Sequence, residues 1–374
     1  MSMSAVDPKT ICVYCDTWGQ GGIEAFITET LTHMDRKGLD FRLVCAEKRQ
    51  SRFDVKLAEC GLYVRPLQKE QEMGALRKTL GSIVPLVRMC RQEHIEVLHL
   101  NVFHGVSLLQ AAAARMCGVK RVIVHCHGSG LRESRGLKVK LLGHYMFRWL
   151  FFWAATERWA ASQAASRFLF GHRQSKIIPN GIEIERFLYC EEKRGKLRKQ
   201  LRIGERLVLG CVGRLDVQKN QRFLLLLLAE LKRLGRSVML LLIGDGEDRP
   251  VLEQRAVDLG IREDIVFLGV SDRVNEWLCA MDLLLIPSTS EGLGIAAIEG
   301  QASGLPVFCS TGVPPEVKQS DAVWFLPLTS LDLWIHAIEN APDYDRAAMN
   351  AQMARSSYNI LKSAKYVMDL YRNS

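Results

Sequence analysis

Two carboxylates, Glu291 and Glu299, flank a glycine-containing turn in the C-terminal half of the sequence. The apolar segment 281–287 before them predicts a buried parallel strand, and a small-residue helix is predicted to begin near Gly294. Where a strand leads into a helix N-terminus, an open α/β sheet presents backbone N–H groups to an anion. One carboxylate in the turn and one on the helix could therefore bind two parts of one ligand, such as two sugar rings flanking a diphosphate. Alternatively, Glu291 caps the helix and Glu299 is a solvated helix residue.

Two cations, Arg214 and Lys219, follow the apolar segment 207–212, which predicts another buried strand. A guanidinium and an ammonium at a strand-to-helix turn are well placed to neutralise a diphosphate. A solvated loop is the alternative interpretation.

Two histidines, His125 and His127, follow the predicted strand 119–124 and precede a Gly-Ser-Gly turn. Histidines at the C-terminal end of a strand lie where ligands bind in parallel sheets, although a structural role is the alternative. In a similar turn after the first predicted strand, Gly21 and Gly22 would let a ligand approach the backbone closely.

Strands and helices alternate throughout the 374 residues, and the pattern restarts after the charge-rich segment 191–205, interpreted as a surface connection. This alternation predicts an α/β protein of two doubly wound parallel-sheet domains with a cleft between them. The predicted domains span 1–182 and 183–351, and the C-terminal helix, about 352–374, is predicted to pack back on the first domain.

The composition narrows the class of partner. An excess of 50 Lys and Arg over 41 Asp and Glu suits an acidic partner, but no zinc-finger spacing, RNA-binding signature or basic tail indicates nucleic acid. The sequence shows no signal peptide and no apolar run that could span a bilayer. Its 11 cysteines are expected to be reduced core thiols, including the literal C-x-x-C of Cys12 and Cys15.

The segment 138–153 mixes basic with large apolar and aromatic residues. It could form an interfacial helix on an anionic membrane. Alternatively, it is a core helix whose basic side chains extend to solvent.

Taken together and in chain order, ten short segments resemble the retaining nucleotide-sugar glycosyltransferases of the GT-B architecture, glycosyltransferase family 4. The resemblance is greatest to the branch that builds bacterial capsular polysaccharide and exopolysaccharide. The matching segments are 21–24, 99–103, 125–127, 155–162, 169–171, 179–182, 212–220, 242–246, 266–269 and the Glu291/Glu299 pair.

The resemblance implies a role for each matching position. Arg214 and Lys219 would hold the donor diphosphate, and His127 would lie against the donor sugar near the reacting carbon. Glu291 would bind the sugar hydroxyls and Glu299 the ribose. The remaining implied contacts are made largely through the backbone: to the diphosphate by Gly22, Gly292, Leu293 and Gly294, and to the base by Gly269 and Val270, with Asn180-Gly181 as the inter-domain hinge.

The resemblance also implies transfer that retains the anomeric configuration, with the leaving phosphate assisting deprotonation of the acceptor and no enzyme nucleophile. The literal Asp-X-Asp of residues 343–345 follows Pro342 and is interpreted as a turn, so we expect no metal and no other cofactor. The expected substrates are a nucleotide diphosphate sugar and a glycan or lipid-linked oligosaccharide. The expected location is the cytoplasm, at the inner face of the cell membrane.

Three features depart from the family pattern: Gly300 where alanine is usual, Gly294 where proline is frequent, and a shortened stretch after Val317. A sugar-nucleotide epimerase or a glycogen-type phosphorylase would share the fold, but neither's motifs are present. The remaining alternative is a non-catalytic sugar-nucleotide-binding or membrane-docking component of a polysaccharide assembly complex.

Overall fold

The computed structural model describes residues 8–68, 74–131, 137–342 and 344–373. The chain forms two compact units. The N-terminal unit contains Met1–Gly181 together with Ile360–Ser374, and the C-terminal unit contains Ile182–Asn359. The first division falls between Gly181 and Ile182, one residue before the predicted boundary.

The N-terminal unit is built on a seven-stranded parallel sheet with the order β3-β2-β1-β4-β5-β6-β7. The strands are β1 Lys9–Trp18, β2 Leu39–Lys48, β3 Val64–Pro66, β4 Val97–Val102, β5 Arg121–Cys126, β6 Glu157–Ala160 and β7 Lys176–Ile177. The helices between them are α1 Gly22–His33, α2 Phe53–Glu59, α3 Ala75–Gln92, α4 Leu108–Met116, α5 Leu137–Phe151 and α6 Gln163–Phe170.

The C-terminal unit repeats this plan with six parallel strands in the order β10-β9-β8-β11-β12-β13. The strands are β8 Leu207–Val212, β9 Val238–Ile243, β10 Ile265–Gly269, β11 Leu283–Ile286, β12 Val307–Ser310 and β13 Val323–Leu326. The helices are α7 Glu191–Gln200, α8 Gln221–Arg233, α9 Arg249–Asp258, α10 Val274–Ala280, α11 Ile295–Ala302, α12 Leu331–Glu339 and α13 Arg346–Arg355. The predicted fold class, two doubly wound parallel-sheet domains, is confirmed.

Each sheet is covered on both faces, so each unit has two apolar layers, one on either side of its sheet. In β1, alternation places Cys12 in one layer and Cys15 in the other. Both thiols are buried, and burial raises the pKa of each well above the ordinary value. The C-x-x-C sequence is therefore a pair of core residues on opposite faces of the sheet.

The final helix, α14 (Ile360–Arg372), belongs to the N-terminal unit and buries Val367, Met368 and Tyr371 in its core. Arg121 donates hydrogen bonds to the carbonyls of Leu370 and Tyr371, at 2.7 and 3.1 Å. A cation at the carbonyl end of a helix is favourable because it complements the helix dipole.

The predicted start of the returning helix near residue 352 is wrong. Residues 346–355 form α13 instead, and its Met349 and Met353 are buried, Met353 in the core of the C-terminal unit. The chain therefore returns to the N-terminal unit only at Ile360, after the segment that follows α13.

The interpretation of segment 191–205 as a surface connection is also incomplete, because α7 packs on the C-terminal unit. Leu197 is buried, while Arg194 and Arg198 form ion pairs with Asp282 at 2.6 and 3.2 Å. Leu197 and the ion pairs to Asp282 anchor a helix whose other side chains are largely solvated.

The core-helix interpretation of residues 138–153 is wrong. Among the described side chains of α5, His144 alone is buried. The exposed fractions of Trp149, Val139 and Leu142 are 77%, 73% and 69%. Among the described residues, no helix is both long enough and apolar enough to cross a membrane.

Candidate active site

The predicted cations and carboxylates meet where the strand order of the C-terminal sheet reverses. β8 and β11 are neighbours there, although they are distant in sequence. Lys219, after β8, donates a hydrogen bond from Nζ to Oε1 of Glu291, after β11, at 2.5 Å. Ser288 donates its hydroxyl to the same oxygen at 2.7 Å. The reversal point of an open α/β sheet is where such folds bind ligands.

Backbone geometry lets Lys219 reach this position. Gly213 has a φ of 151°, and a Cβ atom there would lie 3.3 Å from Cε of Lys219. Glycine therefore leaves room for the lysine side chain to cross the strand end. The backbone N–H of Lys219 donates to Oδ1 of Asp216 at 2.9 Å, which fixes the turn.

The two loops are joined directly by hydrogen bonds. The backbone N–H of Thr289 donates to the carbonyl of Gln218 at 2.8 Å, and the Gln218 side chain donates to the carbonyl of Ser290 at 2.7 Å. These hydrogen bonds fix the loop that carries Lys219 relative to the loop that carries Glu291.

Arg214 lies on the same loop as Lys219 but in a different environment. Its side chain is 53% exposed, and Nε is 3.9 Å from Oδ2 of Asp216. The Lys219 and Glu291 charges offset one another, so Arg214 supplies positive charge that a solvent-borne anion can reach.

The turn before α11 requires glycine. Gly294, at the N-cap position, has a φ of 92°, and a Cβ atom there would lie 3.1 Å from Val313. Proline fixes φ near −65°, so this backbone excludes the proline that is frequent in the family. A second departure, Gly300, also has a packing reason, because a Cβ atom there would lie 2.4 Å from Leu284.

The residues expected to bind ribose and base lie on neighbouring elements. Glu299 is on α11 and is partly exposed. Gly269 ends β10 with a φ of 70°, and its carbonyl accepts the N–H of Gly244 at 2.8 Å. Val270 follows with 71% of its surface exposed. β9 separates β10 from β8, so the expected base contacts are two strands away from Lys219.

The N-terminal unit places its own candidates at the corresponding edge of its sheet. Gly22 begins α1 directly after β1, and a Cβ atom added there meets no heavy atom within 4 Å. The buried Glu24 accepts the backbone N–H of Gly19 at 2.8 Å and so holds the turn that precedes the helix. Glu24 lies in the matching segment 21–24, but no separate role was predicted for it.

His127 follows β5 and is buried, with a relative exposure of 9%. Its Nε2 lies 2.9 Å from Oδ1 of Asn101 in β4. Burial lowers the pKa of His127 to about 3, so the imidazole is neutral near pH 7.

Two further histidines, His125 and His99, form a hydrogen-bonded pair, and His125 packs against His127. The rings of His125 and His127 have centroids 4.0 Å apart, and Nδ1 of His125 lies 3.2 Å from Nε2 of His99. The hydroxyl of Tyr371, from α14, is 2.5 Å from Nδ1 of His99. Burial lowers the pKa of His99 and of His125 well below the usual range.

From the Asp-X-Asp sequence, Asp345 lies at the start of α13 and not at a strand end. Asp345 caps α13 by accepting the N–H groups of Ala347 and Ala348 at 2.9 and 3.2 Å. Asp343 lies outside the described residues. Asp345, the aspartate of this sequence that the structure describes, therefore serves as a helix cap.

Two family models match the chain over most of its length. The model described as glycosyl transferase 4-like domain matches residues 21–181, and that of glycosyl transferases group 1 matches residues 206–341. These ranges correspond to the two units of the fold.

Similar proteins extend over nearly the whole chain. EpsF of Bacillus subtilis, which is named as a glycosyltransferase, is 26% identical and aligns over 95% of this chain and 94% of its own. An Escherichia coli enzyme named UDP-Gal:alpha-D-GlcNAc-diphosphoundecaprenol alpha-1,3-galactosyltransferase is 26% identical over 79% of this chain and 80% of its own.

Among solved structures, Anabaena HepE in complex with UDP and glucose superposes with a TM-score of 0.78 at 20% identity, covering 97% of this chain and 100% of its own. This likeness shows the fold. The family models, the relatives and the architecture agree, and the chain belongs to the group 1 glycosyltransferases, family 4, which have the GT-B fold.

Proposed function

We propose that this glycosyltransferase moves a hexose from a nucleotide diphosphate sugar to a glycan acceptor, with retention of anomeric configuration. The observation that carries the proposal is the Lys219–Glu291 pair, held at 2.5 Å where the strand order of the C-terminal sheet reverses. A cation and a carboxylate side by side match a ligand that carries both phosphate and sugar hydroxyls.

The proposed phosphate contacts come from Lys219, Arg214 and the turn of Gly292, Leu293 and Gly294. Charge builds up on the diphosphate as the bond to the sugar breaks, and fixed cations stabilise that charge more in the transition state than before it. The N–H groups at the start of α11 add partial positive charge. We therefore propose that the reaction needs no metal ion.

The proposed contacts to the rest of the donor use the neighbouring elements. Glu291 accepts hydrogen bonds from the sugar hydroxyls, and Glu299 accepts them from the ribose. Gly269 and Val270 contact the base largely through the backbone at the end of β10. From the N-terminal unit, Gly22 offers a backbone N–H to phosphate and His127 contacts a sugar.

In the proposed step, the acceptor hydroxyl oxygen bonds to the anomeric carbon as the bond from that carbon to the diphosphate oxygen breaks. The acceptor's proton passes to the departing phosphate, and both events occur on the same face of the sugar. Glu291 positions and stabilises the sugar and forms no covalent bond to it.

We further propose that the acceptor is lipid-linked and that the enzyme works at the cytoplasmic membrane face in exopolysaccharide or capsule synthesis. The E. coli relative is named for a diphosphoundecaprenol acceptor. The exposed surface of α5 supports membrane contact: Val139, Leu142 and Trp149 are exposed, while residues 137–153 include three Lys and Arg and no Asp or Glu. Apolar and cationic groups together suit an anionic lipid surface.

A panel of nucleotide sugars tests the proposed donor class. We expect one of UDP-glucose, UDP-galactose or GDP-mannose to raise the melting temperature, because a ligand that binds the folded state stabilises it. The same donor should be consumed when a synthetic undecaprenyl-diphosphate glycan is added, giving an α-linked product by NMR. Free sugars and nucleoside monophosphates serve as controls. A protein that neither binds nor consumes any nucleotide sugar of the panel would contradict the proposal.

A further inference from the structure

The orientation of the Asn101 amide is fixed by its partners. Its Nδ2 donates to the backbone carbonyl of Tyr14 in β1 at 3.2 Å. A carbonyl oxygen only accepts hydrogen bonds, so the NH2 group must face Tyr14. The amide oxygen, Oδ1, therefore faces His127. Strand register supports this arrangement, because Asn101 pairs with Cys15 in β1 and with His125 in β5.

This orientation determines where His127 carries its proton. An amide oxygen only accepts, so Nε2 of His127, 2.9 Å from Oδ1, must be the protonated nitrogen. A neutral imidazole has one N–H group, and Nδ1 is then an acceptor. Nδ1 makes no hydrogen bond with any residue that the structure describes. The lone pair of Nδ1 is therefore the acceptor that the His127 ring has to offer a ligand.

We propose that Asn101 is a positioning residue that holds His127 as the Nε2–H tautomer, so that Nδ1 accepts a hydrogen bond from a hydroxyl group of a sugar substrate. This inference rests on the proposed function. It also names the chemistry that Nδ1 recognises. A lone pair repels the oxygens of a phosphate or carboxylate and attracts an O–H group, so the partner of His127 is a sugar hydroxyl and not the diphosphate.

The surroundings of His127 keep this tautomer stable. Its titratable neighbours are His125 in β5 and, behind it, His99 in β4, and both are neutral because they are buried. From α1, the Phe26 ring packs against His127 with centroids 5.4 Å apart. Burial is the influence that lowers the pKa of His127, and no carboxylate acts on it within the described residues. An amide therefore sets the proton position without adding a charge.

The first test reads the tautomer directly. In full-length protein labelled with 15N-histidine, long-range 1H–15N spectra distinguish a protonated ring nitrogen from an unprotonated one. His127→Gln identifies the His127 signals. We expect Nδ1 unprotonated and Nε2 protonated from pH 6 to 8 in the wild type, and a mixture of tautomers in Asn101→Ala. A wild-type His127 with its proton on Nδ1 would overturn the proposal, whether or not Asn101→Ala folds.

The second test uses Asn101→Asp, which keeps the shape but adds a charge. A carboxylate beside Nε2 favours the imidazolium, so the pKa of His127 rises and Nδ1 gains a proton. Turnover of the donor selected by the nucleotide-sugar panel should then fall about tenfold for each pH unit below the raised pKa, while the wild type shows no such loss. The NMR titration of His127 in the variant should report the same pKa.

The two proposals fail in distinguishable ways. The tautomer measurement needs no substrate, so it stands or falls without reference to activity. An active enzyme whose Asn101→Asp variant has a raised His127 pKa but an unchanged pH profile would overturn the hydroxyl contact alone. Absence of nucleotide-sugar binding by the wild type would overturn the proposed function and, with it, the assigned partner of Nδ1.

Discussion

At the scale of single residues, Lys219 and Glu291 satisfy one another before any substrate arrives. The Lys219 side chain is 25% exposed and that of Glu291 only 8%, so removing one partner leaves the other poorly solvated. An uncompensated charge in such a site costs more than the pair contributes. Loss of stability and loss of catalysis must therefore be separated in any test of these residues.

We predict that Lys219→Met and Glu291→Gln each reduce turnover by about 10²- to 10³-fold, because each removes a group aimed at charge or hydroxyls of the donor. Each single variant should also lower the unfolding free energy by about 1–3 kcal/mol. Steady-state kinetics and urea denaturation measure the two effects.

The double variant Lys219→Met/Glu291→Gln is the matched control, because it removes both charges at similar side-chain volume. We expect its stability to recover toward that of the wild type while its turnover stays low. If turnover recovered together with stability, the pair would be structural and its assigned part in donor binding would be wrong.

The sequence predicted which residues form this site but not the hydrogen bonds that hold them in place. Lys219 and Glu291 follow predicted strands and so could be placed at the same sheet edge. Tyr371 could not be assigned, because its hydrogen bond from α14 to His99 spans most of the chain and leaves no local pattern. Asn101 lies inside a recognised segment, but its contact with His127 depends on the pairing of β4 with β5. Glu24 lies inside a recognised segment, but its contact with Gly19 depends on the conformation of the turn.

At the scale of secondary-structure elements, α5 is unusual because a stripe of large apolar side chains along it is exposed. Val139, Leu142, Met146, Trp149 and Trp153 recur at intervals of three and four residues, and all are exposed. They therefore lie on one face of α5, except that Trp153 lies in the short turn that follows the helix. Periodicity alone could not separate this arrangement from a core helix, because both have one apolar stripe.

We predict that the protein floats with vesicles containing anionic lipid and not with neutral ones. Leu142→Ser/Trp149→Ser should abolish flotation by removing exposed apolar area. Lys138→Gln/Lys140→Gln should weaken it by about 1 kcal/mol for each cation lost, and added salt should do the same. Vesicle flotation at two salt concentrations provides the measurement.

A matched control is Val251→Ser/Val257→Ser on α9, which removes exposed apolar side chains from the C-terminal unit. This variant should float like the wild type. Equal flotation with neutral and anionic vesicles, or flotation unaffected by Leu142→Ser/Trp149→Ser, would exclude the proposed membrane surface.

Short or charged elements were the ones that sequence patterns missed. β3 and β13 have three and four residues, too few for alternation to stand out. α7 contains a single buried residue, Leu197, so its pattern resembles a solvated loop. By contrast, β8 is a continuous apolar run and was predicted with the bounds that the structure shows, 207–212.

At the scale of the whole molecule, the two units repeat one topology. In each, the first strand lies beside the fourth, and the chain order reverses between them: β1 with β4, and β8 with β11. The restart of the strand–helix pattern was enough to predict two such domains. The return of the chain at Ile360 was placed too early, because the helix predicted over about 352–374 joins the end of α13 to α14, and these two helices fill different cores.

The balance of charge over the chain leads to the last prediction. The protein has 50 Lys and Arg against 41 Asp and Glu, and its candidate diphosphate site combines Arg214, Lys219 and the start of α11. If these groups neutralise the leaving diphosphate, a divalent cation has no charge left to offset there. We predict that turnover after exhaustive EDTA treatment stays within about twofold of the untreated rate, and that added Mg²⁺ or Mn²⁺ has a similarly small effect.

The matched control is Arg214→Gln, which removes one fixed charge and leaves the fold unaffected, because Arg214 is exposed. In this variant Mg²⁺ should restore part of the lost turnover, since an ion can now supply the missing charge. If EDTA abolished wild-type turnover and Mg²⁺ returned it, the metal would be an obligatory part of the site. The fixed cations would then be insufficient, and the proposed mechanism of leaving-group stabilisation would be wrong.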